Sequence, residues 1–219
     1  LRWKTTSPLT GWEIKESFRE VSEIEQRFFK LKNMETREDA DGKRVLAGYF
    51  SVFDEPYQVC DGWIETIARG AFARYLAEGG DVKILWNHDS NIVLGSTSSG
   101  TAVLREDEKG LYGEVSINDK DQDALNAYAR VMRGDVTGCS FGFEIGRQEE
   151  WWDDEGVYHT KVLEVYPLYE VSPCTFPAYR ETSIEAREQF ERAKQNKSKA
   201  QEERLSRWRQ EALKRLKGE

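Results

Sequence analysis

Asp135-Val-Thr-Gly-Cys-Ser-Phe-Gly-Phe-Glu-Ile145 is the stretch from which the rest of this chain is read. As a strand it sends alternate side chains to opposite faces. Cys139, Phe141, Phe143 and Ile145 then form an apolar face, while Gly138, Ser140, Gly142 and Glu144 form the other. The first face belongs to a core. The second presents a hydroxyl between two glycines, so that another chain's backbone can come close to it. That suits a nucleophile attacking a peptide, while the pattern by itself favours a β-bulge in which Ser140 is a small filler.

Short apolar runs broken by Gly, Asp and Pro lie on either side of this segment and predict further strands over residues 45–53, 63–67, 82–86, 101–104 and 111–117, then 157–166 and 168–171. Helices are expected over 71–78, before Gly79-Gly80, and over 121–133, where Leu125, Tyr128, Val131 and Met132 share a face ahead of Gly134. Pro173 and Pro177 are expected to end regular pairing, since proline cannot donate to a strand ladder. The main domain is therefore set at 34–183. Before it, Trp12, Ile14, Phe18, Val21, Ile24, Phe28 and Leu31 recur at helical spacings and predict a helical extension over 1–33. After it, residues 184–219 read as a charged helical tail with a narrow stripe of Leu205, Trp208, Ala212 and Leu216, which needs a partner to bury it.

The chain has 219 residues, enough for one domain with tails, and its 7 Trp, 9 Tyr and 10 Phe can fill a core. Its formal charge is −8, which gives no general pull towards nucleic acid. The charge is uneven: residues 184–219 hold eleven Lys and Arg against seven Glu, net +4, which leaves −12 on residues 1–183. The 3 cysteines, Cys60, Cys139 and Cys174, are far apart and form no CxxC pair, which argues against a disulfide framework and a zinc site and for a reducing compartment. No apolar run approaches the roughly 20 residues that span a bilayer, so no membrane partner is expected. The first residue is Leu1, and whether residues before Met34 are an added extension is left open.

A hydroxyl nucleophile needs a base, and the chain has only two histidines, His88 and His159. His88, in Trp86-Asn-His-Asp89, follows a predicted strand directly, where a rigid element releases its chain into a loop. His159 lies on a strand after the Trp151-Trp152-Asp-Asp-Glu turn. A structural role for either ring fits the same pattern. Glu170, in Leu168-Tyr-Glu-Val-Ser-Pro173, is a carboxylate within an apolar strand and needs a partner if buried; a histidine N–H would serve. An outward-facing edge position is the alternative. Cys139 is the competing nucleophile, though strand alternation turns it away from Ser140. A metal hydrolase built on His88 and Asp89 is disfavoured because the second histidine, His159, has no ligand spacing to them.

Three segments together resemble the prohead serine protease family of tailed phages: Gly134-Asp-Val-Thr-Gly-Cys-Ser-Phe-Gly-Phe143, Trp86-Asn-His-Asp89 with Val93-Leu-Gly95, and Tyr169-Glu-Val-Ser-Pro-Cys-Thr-Phe-Pro-Ala-Tyr179. Met34-Glu-Thr-Arg37 and Gly48-Tyr-Phe-Ser-Val-Phe53 resemble that family's first strands. The resemblance implies an α+β fold like that of the herpesvirus assembly protease: a compact, mostly antiparallel β-barrel-like core surrounded by helices. It places the family's nucleophile on Ser140, its histidine on His88 and its acidic residue on Glu170; in the herpesvirus relative a second histidine takes the third place. It implies an endopeptidase that needs no cofactor, metal or nucleic acid. Its implied partners are the major capsid protein with its scaffolding segment, and itself, inside a prohead assembling in the host cytoplasm, with a homodimer by analogy. The competing class is an inactive assembly protein that keeps the fold, for which the acidic body and basic tail are suited.

Overall fold

The computed structural model describes residues 15–17, 25–30, 34–40, 42–175 and 184–217. Two long strands, β11 (Gly138–Trp152) and β12 (Tyr158–Cys174), pair antiparallel and form the spine of an eight-stranded sheet. Their connection is a tight turn in which Asp153 accepts the backbone N–H groups of Glu155 and Val157 and Gly156 takes a φ of 84°. Near this turn, β1 (Lys15–Ser17) lines β11, and β6 (Trp63–Ile67) with β5 (Tyr57–Cys60) lines β12. At the far end, β2 (Glu25–Lys30) lines β11, and β7 (Lys83–Trp86) with β8 (Asp89–Ser96) lines β12. Strands β6 and β7 run parallel to β12; the other ladders are antiparallel.

A second, four-stranded antiparallel sheet has the order β3 (Glu35–Glu38), β4 (Arg44–Val52), β10 (Gly110–Ser116) and β9 (Ala102–Glu106). Leu46, Phe50, Leu111 and Val115 from this sheet join Phe141, Phe143, Leu168 and Val171 from the first in one core. Phe141 lies against Phe143 and edge-on to Phe72, so the apolar face read at the outset is the centre of the molecule. Helix α1 (Ala73–Ala77) and helix α2 (Gln122–Arg133) close the core. Asp121 caps α2 by accepting from the N–H groups of Asp123 and Ala124, and Gly134 ends it in the left-handed conformation.

Several expectations are corrected. Among the described residues the two sheets share no ladder, so the β-barrel-like core is instead two open sheets packed face to face. Within residues 1–33, the described parts 15–17 and 25–30 are strands, because pairing with β11 prevails over a helical spacing of apolar residues; the rest of that expected helix lies outside the described residues. Pro173 does not end pairing: it sits one residue from the end of β12, opposite Cys139, where a missing N–H costs little. On α2 the buried residues are Ala124, Ala127, Tyr128 and Val131, and Met132 faces out.

Helix α3 (Ile184–Lys217) is the long helix expected for the tail. It is anchored near its start by Phe190, buried in a satellite cluster with Val59, Cys60, Trp63 and Tyr158. Lys197 lies over the ring of Trp152 one stage further along. Beyond that Leu205, Trp208 and Leu213 are exposed. No helix among the described residues is long and apolar enough to cross a membrane.

Candidate active site

The turn between β7 and β8 has two residues, Asn87 and His88, closing on the pair Trp86 and Asp89. Both have positive φ, 52° and 63°, the backbone of the tight hairpin turn that suits right-twisted strands. Asn87 is fastened to the end of β12 by three hydrogen bonds. Its N–H donates to the Pro173 carbonyl at 3.1 Å, its Oδ1 accepts the Thr175 N–H at 2.8 Å, and its Nδ2 donates to Thr175 Oγ1 at 3.2 Å. The expected loop after the strand is thus a pinned hairpin turn, and it delivers the His88 ring over β12.

There His88 Nδ1 meets Glu170 Oε1 at 2.6 Å. An ionised carboxylate only accepts, so Nδ1 is the donor in this contact, and in the neutral imidazole that tautomer leaves the lone pair on Nε2. The pair is mostly enclosed, with side-chain exposures of 19% for His88 and 12% for Glu170. Glu170 is therefore an inward carboxylate with a partner, and the edge alternative falls. Opposite Glu170 on β11 stands Gly142, where a side chain would collide with the carboxylate.

Ser140 stands on β11 two residues before Gly142 and directly opposite Ser172. Residues facing each other across a ladder share a face, with Cβ atoms about 5 Å apart. Ser140, Gly142, Glu170 and Ser172 accordingly occupy one face, the one on which His88 lies. Ser140 is 0% exposed. Its Oγ and His88 Nε2 are both buried without a hydrogen-bond partner among the described residues. The structure thus joins His88 to Glu170 directly and sets Ser140 beside them, without a Ser140–His88 hydrogen bond.

Ser172 was not among the residues singled out from sequence. Its Oγ donates to Glu170 Oε2 at 2.5 Å and accepts the His88 N–H at 3.2 Å. The signal was present in the Glu-x-Ser spacing, which puts both residues on one face of a strand.

Cys139 projects to the opposite, apolar face, with its Sγ 3.2 Å from Met34 Sδ. Burial holds this thiol well above its usual range, and the nearby Cys174 adds to the effect. Cys174 is itself pushed up to about 12, by burial first and then by Glu170. Neither thiol is prepared to act as a nucleophile at neutral pH. His159 is engaged elsewhere, stacked on Trp151 and bonded through Nε2 to Asp153 at 2.8 Å. Among the described residues no three His, Cys, Asp or Glu side chains gather as metal ligands.

The chain can now be set beside known proteins. No solved structure is significantly similar to it. It is 33% identical over 151 residues to the prohead protease of Enterobacteria phage HK97, a match that takes in 67% of this chain and 61% of that protein. The chain thus spans less than two thirds of the length of that relative. The family model described as Caudovirus prohead serine protease matches residues 31–196, a span that contains His88, Ser140 and Glu170. With most of its length matched in this way, the chain belongs to the Caudovirus prohead serine protease family.

Proposed function

We propose that this chain is a serine endopeptidase that matures a phage prohead, with Ser140 as nucleophile, His88 as general base and Glu170 as the group that orients and steadies the imidazole. The observation that carries the reading is the His88 Nδ1 to Glu170 Oε1 contact of 2.6 Å, which leaves Nε2 buried and unpartnered on the face that holds Ser140. Ser140 Oγ attacks a peptide carbonyl while its proton passes to Nε2, and Glu170 stabilises the imidazolium that forms. The imidazolium then protonates the leaving amine as the C–N bond breaks. Water, deprotonated by the same nitrogen, attacks the acyl-enzyme and returns Ser140 to its hydroxyl form. Ser140 is 0% exposed, so on this reading a substrate carbonyl reaches the hydroxyl only after neighbouring residues move.

The substrates, on this reading, are scaffolding segments of the major capsid protein and this chain itself, inside the assembling prohead in the host cytoplasm. The test is co-expression with the capsid protein of the same phage, followed by mass analysis of that protein. Cleavage is expected with the wild-type chain and lost with Ser140→Ala and with His88→Ala. Undiminished cleavage by the folded Ser140→Ala variant overturns the reading in favour of an inactive assembly protein or another nucleophile.

A further inference from the structure

We infer that Ser172 is a positioning residue of this site, a hydroxyl that locks the Glu170 carboxylate and the His88 turn into one arrangement. The inference rests on the reading of His88, Ser140 and Glu170 given above. Ser172 is fully buried, and its one oxygen serves two elements: the O–H donates to Glu170 Oε2, and a lone pair accepts the backbone N–H of His88. Since His88 takes Oε1, both carboxylate oxygens are engaged from different directions. A carboxylate held at one oxygen can swivel about its last bond; held at both, it presents Oε1 to Nδ1 in a single orientation.

The second contact acts on the backbone. His88 has φ 63°, a conformation disfavoured for a residue with a Cβ, and its N–H points inward. Without Ser172 that partly buried N–H would lose its acceptor, beside a carboxylate oxygen that had lost its donor. One hydroxyl thus satisfies the turn that carries the base and the acid that orients it.

Ser172 is not itself placed to be the nucleophile. The Ser172 proton is already directed at Glu170, and its oxygen is occupied by the His88 N–H, whereas the Ser140 hydroxyl is uncommitted. The ring turns its Nδ1 edge to Glu170, its Nε2 is buried without a partner, and Ser140 stands opposite Ser172 across the ladder.

Threonine and valine have the same shape and differ by the hydroxyl, so Ser172→Thr against Ser172→Val isolates the oxygen from packing, with Ser172→Ala as the variant that adds no bulk. Two readouts are taken on the full chain. The first is the far-downfield proton resonance of the His88 Nδ1–H, assigned by its loss in His88→Gln, which requires no activity. It is expected to persist in Ser172→Thr and to broaden or vanish in Ser172→Val and Ser172→Ala. The second is the time course of capsid-protein cleavage on co-expression, expected within a few-fold of wild type for Thr and slower by roughly 100-fold for Val and Ala, the scale of a misplacement of about 1 Å. Folded Val or Ala variants that keep both the resonance and the wild-type rate overturn the inference. If instead Ser140→Ala still cleaves, the nucleophile reading fails, while the resonance still decides whether Ser172 orders the His88–Glu170 pair.

Discussion

Gly142 faces Glu170 across the β11–β12 ladder, and a Cβ at position 142 would lie 2.7 Å from Glu170 Oε1, the oxygen bonded to His88. The atom in the way is the end of a side chain, so the fold can yield while the geometry of the pair cannot. Gly142→Ala is therefore expected to fold with a loss of stability under about 2 kcal/mol. Cleavage of the capsid protein should fall by about 100-fold. Thermal melting and the co-expression time course check the two halves separately.

Cys139 and Ser140 are neighbours in sequence but point to opposite faces. Cys139→Ala is expected to cleave at the wild-type rate and to lose about 1 kcal/mol or slightly more, since a sulfur leaves a packed site against Met34. Iodoacetamide at pH 7.5 should leave Cys139 of the folded chain unmodified, because burial keeps its thiol protonated. Peptide mapping after alkylation gives the answer.

Glu106 accepts the N–H of Phe72 at 2.8 Å, and burial raises its carboxyl above the usual range. A carboxyl raised on folding binds protons more tightly in the folded state, so its contribution favours folding at low pH and is lost as pH rises through the folded value. Glu106→Gln keeps the acceptor and removes the charge. Its melting temperature should exceed that of wild type at pH 7, with the difference closing towards pH 4. A variant that melts lower at pH 7 would refute this.

Phe190 is the anchor of α3, stacked near Trp63 and Trp152 and packed on Tyr158. Phe190→Ala should cost about 3–5 kcal/mol of docking energy. The charged remainder of the helix buries little of its own and has no other support of that size. Loss of helical circular dichroism and faster proteolysis within residues 184–217, with the two sheets still melting cooperatively, is the expected result.

Strand 63–67 was legible to the residue, and the strand read as 45–53 falls on β4, because runs of Val, Leu, Ile, Phe and Trp bounded by turn residues have few other uses. Strand β3 was not legible in the local pattern, because Glu-Thr-Arg-Glu has no apolar face and is a strand only through pairing with β4; the family resemblance alone marked a strand there. Strand β8 was missed because it opens with Asp-Ser-Asn and because its turn, Asn-His, lacks the glycine that usually marks a two-residue hairpin. The face assignments around Ser140 followed from alternation alone. The meeting of His88 with Glu170, 82 positions apart, did not: it depends on β7 lying parallel to β12, which no local pattern specifies. The residues alone asked only that a buried Glu170 find a partner such as a histidine N–H; the family resemblance named His88, and neither pointed to Ser172.

The Asn87–His88 turn also bears on what could stand in place of its histidine. A two-residue turn of this backbone is most easily spelled Asn-Gly, and a side chain in the left-handed region costs about 1–2 kcal/mol. Replacing the imidazole with glycine would relax the backbone but leave the Glu170 carboxylate enclosed without its partner, so the strain of the turn is offset by the need of the acid beneath it.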